Sequence, residues 1–255
     1  MTGVVPFEPR VALASLSGES DADWARAAVP HVGAAFLGGL ALDEPTREAA
    51  RELAARDRSE FLPDDPVAFL EAQFTALAWV PIVSGINIRS RTLDPVRTVG
   101  RVCADHGAIC EINAHCRQTE MTSVGAGQSL LTDSDRLAAQ IETVAETGAT
   151  VSVKVRTEVP GVDLPTVARR IEAAGGDVIH VDAMDSEGVV AEIVGATDLF
   201  VIANNGVRDR ATVREYLAYG ADAVSVGRPS DRPAILERVR RATDEWFGRT
   251  TEAHA

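Results

Sequence analysis

Eight short runs rich in Val and Ile alternate with amphipathic stretches along this chain, and no other feature limits its fold as tightly. The runs span 11–16, 32–37, 82–88, 109–113, 150–155, 177–181, 199–203 and 223–226. Between them, helical patterns cover 94–106, 133–147, 163–174, 208–219 and 230–247; the first carries Val96, Val99 and Val102 at helical spacing. Acidic or hydroxyl residues open these stretches, and glycines such as Gly148, Gly175 and Gly220 follow them, as helix starts and stops require. Short, continuously apolar strands are what a parallel sheet covered on both faces needs. Eight such units in 255 residues predict an α/β fold, a single-domain (β/α)8 TIM barrel over 1–248. An extra helix is expected over 64–77, before the third strand. An open doubly wound sheet is the competing arrangement. Residues 249–255 read as a frayed tail.

Composition narrows the setting. Acidic residues outnumber basic ones 38 to 25, for a net charge of −13, and the only lysine is Lys154. Such an acidic, arginine-based composition resembles that of proteins from salt-loving organisms, where acidity is spread over the whole surface. No apolar run reaches the ~18 residues of a membrane helix, and the first residues lack a basic, then apolar, leader pattern. A soluble cytoplasmic protein without membrane association is expected. Cys103, Cys110 and Cys116 form no CxxC pair and the five histidines no HxxxH pattern. Neither a disulfide framework nor a metal site is expected.

The polar residues fall where a barrel keeps its chemistry, at the C-terminal ends of the strands. Strand 1 runs into Ser15, Leu16 and Ser17, and strand 3 carries Asn87. Strand 4 leads through Asn113 and His115 to Cys116. Strand 5 holds Lys154, and strand 6 holds His180 and Asp182. Strands 7 and 8 end in Asn205-Gly206 and Gly227-Arg228. The last two ends suit a phosphate group, which barrels bind on loop amides and helix N-termini. In a chain that otherwise uses arginine, one lysine inside an apolar strand marks a place for a compact ammonium. It can pair with an acid such as Asp182, face a developing anion such as a reduced flavin, or form a Schiff base. Cys103 and Cys110 read as helix-face and strand-core residues. Cys116 lies beyond a strand end, as a general acid or nucleophile would, or as a plain loop thiol.

From strand 1 to strand 8, and most strongly from Ile109 onward, these residues resemble the dihydrouridine synthases, flavin-dependent barrels that reduce a uracil double bond in tRNA. Asn113-Ala114-His115-Cys116-Arg117 stands where that family has Asn-x-Gly-Cys-Pro, and Gly125-Ala126-Gly127 follows it. Lys154 matches the family's flavin lysine and His180 its strand 6 histidine. Asn205-Gly206 and Gly227-Arg228 match its phosphate-binding ends, and Asn87 replaces its strand 3 glutamine. The resemblance implies FMN bound by Ser15, Leu16, Ser17, Asn87, Lys154, His180, Asn205, Gly206, Gly227 and Arg228, and reduced by NADPH or NADH. It implies that Asn113 holds the uracil edge and Cys116 protonates C5. The partner would be a uracil-type substrate, free or in tRNA, and a homo-oligomer is compatible with this.

Departures accompany the match. His115 replaces glycine and Arg117 replaces proline, and after Gly227 the chain has room for one helix and a tail rather than the family's C-terminal helical domain. No basic stripe interleaved with aromatics is visible. Two other functions stay open at this point. One is a small-molecule oxidoreductase of the dihydroorotate dehydrogenase type. The other is a flavin-free isomerase or aldolase that binds a phosphorylated metabolite and uses Lys154.

Overall fold

The structure is a computed structural model that describes residues 7–253, with side chains through 248. Eight parallel strands close into a barrel in chain order. They are β1 (Val11–Leu13), β2 (Ala34–Ala41), β3 (Val83–Arg89), β4 (Ile109–Asn113), β5 (Thr150–Arg156), β6 (Val178–Asp182), β7 (Phe200–Asn204) and β8 (Ala223–Val226). The barrel is therefore as expected, and the open sheet is excluded. Around it lie α1 (Ala22–Ala28), α2 (Glu44–Ala54), α3 (Pro66–Leu77), α4 (Leu93–His106), α5 (Thr119–Ser123), α6 (Ser134–Ala145), α7 (Leu164–Ala173), α8 (Val189–Val194), α9 (Arg210–Ala218) and α10 (Pro233–Ala253). The extra helix before the third strand is α3. The backbone of α10 extends into the stretch expected as a tail, whose last two residues lie outside the described part. No helix among the described residues is long and apolar enough to cross a membrane.

Aspartates start many of these helices. Asp21, Asp43, Asp65, Asp133, Asp163 and Asp209 each accept a hydrogen bond from a first-turn amide, satisfying a donor that the helix leaves open. Part of the chain's acidity thus serves its helix starts.

Two strands depart from expectation. β1 ends at Leu13 rather than residue 16, and β2 continues to Ala41 rather than stopping at 37. One side chain ties these differences together. The Ser20 hydroxyl accepts from the Leu16 amide at 2.9 Å and lies 2.7 Å from the Gly38 carbonyl oxygen. Beyond Ala14, whose amide still donates to the Val226 carbonyl at 2.9 Å, this lifts residues 15–20 off the ladder and fastens them to β2. Gly38 takes φ +95°, and the β2–β3 register shifts there. A Cβ at Gly39 would sit 2.9 Å from both Arg89 Nε and Asn87 Oδ1. The paired glycines are thus a site of close packing within the strand, although their type suggests a stop.

The lumen is layered. Phe36, Ile109, Val178, Ile202 and Ala223 close its lower end with Phe7. Above them the inward positions turn polar: Asn87, Glu111, Ser152, Lys154, His180 and Ser225 are all buried. The larger apolar core lies between the strands and the helices.

Asp43 locks one side of the mouth. Its carboxylate caps α2 and also accepts from the amides of Arg91 and Thr92, at 2.7 and 2.8 Å, and from the Thr92 hydroxyl at 2.9 Å. Burial alone would raise its pKa, but the bonds from Thr46, Thr92 and Arg91 outweigh it and hold the carboxyl below its ordinary value. This stabilisation is complete above the ordinary aspartate range and is lost as pH falls through the folded-state value. Asp43→Ala is expected to cost about 3 kcal/mol, because several charge-assisted bonds and a cap go together. Urea unfolding of wild type and Asp43→Asn should differ most near neutral pH and converge only as the pH falls below the ordinary aspartate range.

Candidate active site

The C-terminal ends of the strands surround a cavity of about 800 Å³, within the range of a site for a cofactor and a second ligand. Ser15, Leu16, Ser17, Asn87, Asn113, Cys116, Lys154, Asn205, Gly206, Gly227 and Arg228 all line it. Residues expected from separate strand ends thus meet at one place. His180 is the exception among the expected cofactor contacts. It is fully buried and absent from the cavity wall, with Nδ1 2.8 Å from Glu111 Oε2 and Nε2 2.7 Å from Ser225 Oγ. The alternation of β6 brings its ring into the lumen, where Glu111 and Ser225 take both nitrogens.

Glu111 is the centre of the layer beneath the cavity. Asn87 Nδ2 donates to its Oε1 at 2.8 Å, and the Ser152 hydroxyl donates to its Oε2 at 3.1 Å. Burial pushes the carboxyl up, but His180, Lys154 and the Asn87 hydrogen bond together hold it below its ordinary value. Burial lowers the His180 pKa against the pull of Glu111. The layer therefore carries a carboxylate beneath a neutral imidazole at neutral pH.

Lys154 rises from this layer with an exposure of only 2%. The ion pair with Asp182 that would have given it a purely structural role is not formed: Asp182 Oδ1 instead accepts from Asn205 Nδ2 at 2.8 Å. Among the described residues the ammonium has no hydrogen-bond or ion-pair partner. Burial lowers its pKa, and Glu111 and Asp182 oppose that. Its Nζ is not closed off from the cavity, which is the arrangement expected where a ligand supplies the acceptor.

Cys116 is held by its backbone. Its amide donates to Asn113 Oδ1 at 3.0 Å, and its carbonyl accepts from the Gln128 amide at 2.8 Å. Gly127, at φ +63°, has no room for a Cβ, which would stand 2.3 Å from the Cys116 oxygen. The Gly125-Ala126-Gly127 loop is therefore shaped by the cysteine loop that it clamps. Asn113 Nδ2 donates to Asn87 Oδ1 at 2.7 Å. Asn113, expected to hold a uracil edge, thus also anchors the loop through its side-chain oxygen and positions Cys116. Cys103 and Cys110 are fully buried, and burial pushes the Cys103 thiol up. Only Cys116 opens to the cavity.

The ends of β7 and β8 form an anion cup. Asn205 and Gly206 both take positive φ, 99° and 65°, and the Tyr216 hydroxyl donates to the Asn205 carbonyl at 3.0 Å. A Cβ at Gly206 or Gly227 would meet nothing within 4 Å. The amides of Gly206, Gly227 and Arg228 have no acceptor among the described residues. Seven basic side chains line the whole cavity against four acidic ones, in a chain of net charge −13. That local reversal favours an anionic ligand.

Sequence reading missed Arg89 and Arg156 as site residues, although each follows a chosen lumen position by two, the strand repeat that would have found it. Arg89 pairs with Glu60 at 2.7 Å, with both side chains nearly inaccessible, and bonds Ser17. Glu60 comes from the α2–α3 loop, where no local pattern announces it. No cluster among the described residues has the makings of a metal site. Asn113→Ala should release the loop: the Cys116 amide should exchange faster with solvent and unfolding should cost about 1–2 kcal/mol less, since one buried side chain serves both ends of the link. Hydrogen exchange with urea titration measures both.

Residues 94–254 match the dihydrouridine synthase family model. An uncharacterized protein of Methanocaldococcus jannaschii is 30% identical over 235 residues, covering 87% of this chain and 89% of that one. Morphinone reductase in complex with tetrahydroNAD shares the fold with a TM-score of 0.66 and 13% identity, over 95% of this chain and 89% of that one. A FabK mutant from Thermotoga maritima gives 0.58 and 16%, over 87% of this chain but only 61% of its own length. At such identities the two structures speak for the barrel alone, and it is the family match that favours an oxidoreductase over an isomerase or aldolase. Spanning well over half of the sequence and all the strands from β4 to β8, that match makes this chain a member of the dihydrouridine synthase family and, with it, a flavin-dependent oxidoreductase.

Proposed function

We propose that the protein binds FMN and reduces the C5=C6 bond of a uracil-type pyrimidine, free or in tRNA, with NADPH or NADH as the electron donor. The observation that carries this reading is Lys154, whose stem is buried and whose ammonium, without a partner among the described residues, faces the cavity that Cys116 also lines. When bound, FMN supplies a hydride acceptor and donor at N5, and a cation beside its N1/C2=O edge favours the reduced form. Lys154 would be that cation. The uncommitted amides of Gly206, Gly227 and Arg228, with the Arg228 side chain, would hold a terminal phosphate. Ser15, Leu16, Ser17 and Asn87 would border the rings. The Cys116 thiol delivers a proton to C5 of the base, and Asn113 keeps that thiol in place through the loop amide. The fit to a single terminal phosphate favours FMN over FAD, and no GxGxxG opens a unit for an adenylate half.

Denaturing the purified protein and identifying the released flavin tests the reading directly. FMN is expected; FAD, or no flavin after reconstitution, overturns it. Lys154→Met should keep the fold, lower the flavin potential and slow reduction by NADPH, because the cation that stabilises the reduced ring is gone. Spectroelectrochemistry and stopped-flow absorbance report the two effects.

Cys116→Ala should keep the flavin and its reduction but slow pyrimidine reduction by about 10²–10⁴-fold, the usual contribution of a general acid. Cys103→Ala and Cys110→Ala should change stability by about 1 kcal/mol and leave turnover alone. Single-turnover measurements that separate the two half-reactions distinguish these outcomes. Cys116 should also react with an alkylating agent faster than the two buried thiols.

A further inference from the structure

We propose that His115 presents a neutral Nε2–H to the cavity and donates it to the C4 carbonyl oxygen of the pyrimidine, holding the negative charge that collects there as C5=C6 is reduced. This rests on the uracil-type substrate proposed above.

His115 occupies the position where the motif it resembles has glycine, so its ring is an addition to the site. It lines the cavity between Asn113 and Cys116. Neither ring nitrogen has a partner among the described residues, and of the two only Nδ1 is a buried atom. Burial, reinforced by Lys154, Arg89, His180 and Arg156, holds the imidazole well below its ordinary pKa. The ring is therefore neutral and carries one N–H. Placing that proton on Nδ1 would strand a donor in a buried position, which proteins rarely tolerate. Placing it on Nε2 leaves a bare nitrogen inside and a donor toward the cavity. The backbone fixes where that donor sits, because the amides of His115 and Cys116 share Asn113 Oδ1 as acceptor, at 3.4 and 3.0 Å.

The chemistry of the base needs such a donor. The C4 carbonyl is conjugated with C5=C6. A bound flavin would supply the hydride that C6 receives; as it arrives, the π pair moves toward C4 and the C4 oxygen becomes negative. The charge then returns through C5, which takes the proton from Cys116 Sγ; water restores the thiol. C4 and C5 are bonded neighbours, and the two side chains that serve them are neighbours in the chain. A neutral imidazole is suited to this role, because it stabilises an oxyanion without surrendering its proton to it.

The test compares wild type, His115→Leu and His115→Gln on a uridine substrate and on its 4-thio counterpart, whose sulfur is a poor acceptor. His115→Leu should keep its flavin and that flavin's reduction, yet lose about 10²–10³-fold in kcat on uridine, as when one oxyanion donor is removed, with a smaller change in KM. His115→Gln, which restores an N–H, should recover part of the loss. The 4-thio substrate should be much less sensitive to the same replacements. Nitrogen NMR of the labelled wild-type ring should show a neutral Nε2–H tautomer, a readout independent of turnover. A leucine variant that matches wild type, an equal loss on both substrates, or a proton found on Nδ1 each overturns the assignment of His115. A wild-type enzyme that reduces no uracil-type base overturns the proposed function, and this inference with it.

Discussion

The carboxylate of Glu111 stays ionised inside the barrel because His180, Asn87 and Ser152 all turn toward it and Lys154 stands nearby. An isolated carboxylate there would be neutral, since burial favours the uncharged acid. Its charge orders what lies above. It fixes Asn87, whose oxygen receives Asn113, whose own oxygen holds the amide of Cys116. On the other side it fixes His180, which contacts Ser225, and Asn204 Nδ2 lies 2.8 Å from that same hydroxyl. The cysteine loop and the end of β7 are thereby tied to one buried charge. Such a network is stable only while every member is satisfied, so replacing one residue disturbs both ends of the cavity.

The same charge explains why the lysine is tolerated. A nearly inaccessible lysine with no direct partner requires a favourable field, and Glu111 and Asp182 supply it without closing an ion pair. A pair would quench the charge; a field leaves it available to a ligand. Arg89 shows the opposite arrangement. It is equally buried, but Glu60 and Ser17 take its terminal nitrogens, so its part is to fasten the α2–α3 loop across the mouth. Two cations a few strands apart therefore have different roles, and only their partners reveal which is structural.

Legibility follows the same division between local and long-range causes. The strand count, the lumen-facing alternation and the polar strand ends were readable because period-two patterning and glycine punctuation are local. The ends of β1 and β2 were not, because the Ser20 bridge between residues far apart in the chain sets them. Helices α1, α5 and α8, each seven residues or fewer, are too short for a periodic signal. Lys154 stood out through its uniqueness alone. Glu111 did not, because a single acid on a strand looks like any other until the residues from β3, β5 and β6 meet around it. Asn113 and His180 were found as site residues, but their protein partners were not: Asn113 also holds the Cys116 amide, and His180 lies beneath the cavity wall between Glu111 and Ser225. Their identity is visible in the sequence, while the partners that occupy their nitrogens and oxygens come from other strands.

Those partners change how the departures around Cys116 should be weighed. The motif that this loop resembles places glycine before the cysteine and proline after it, and the chain has His115 and Arg117 instead. If residue type on either side were what positioned the cysteine, both changes would damage the site. In this structure the position is set elsewhere: by Asn113 Oδ1 beneath the loop, and by Gln128 and the clearance at Gly127 beside it. None of these depends on a proline at 117 or a glycine at 115. The loop can therefore accept a bulky, hydrogen-bonding ring at 115 without moving the thiol. The floor that holds Cys116 leaves the neighbouring position free to vary, and His115, with an uncommitted N–H facing the cavity, puts that freedom to use.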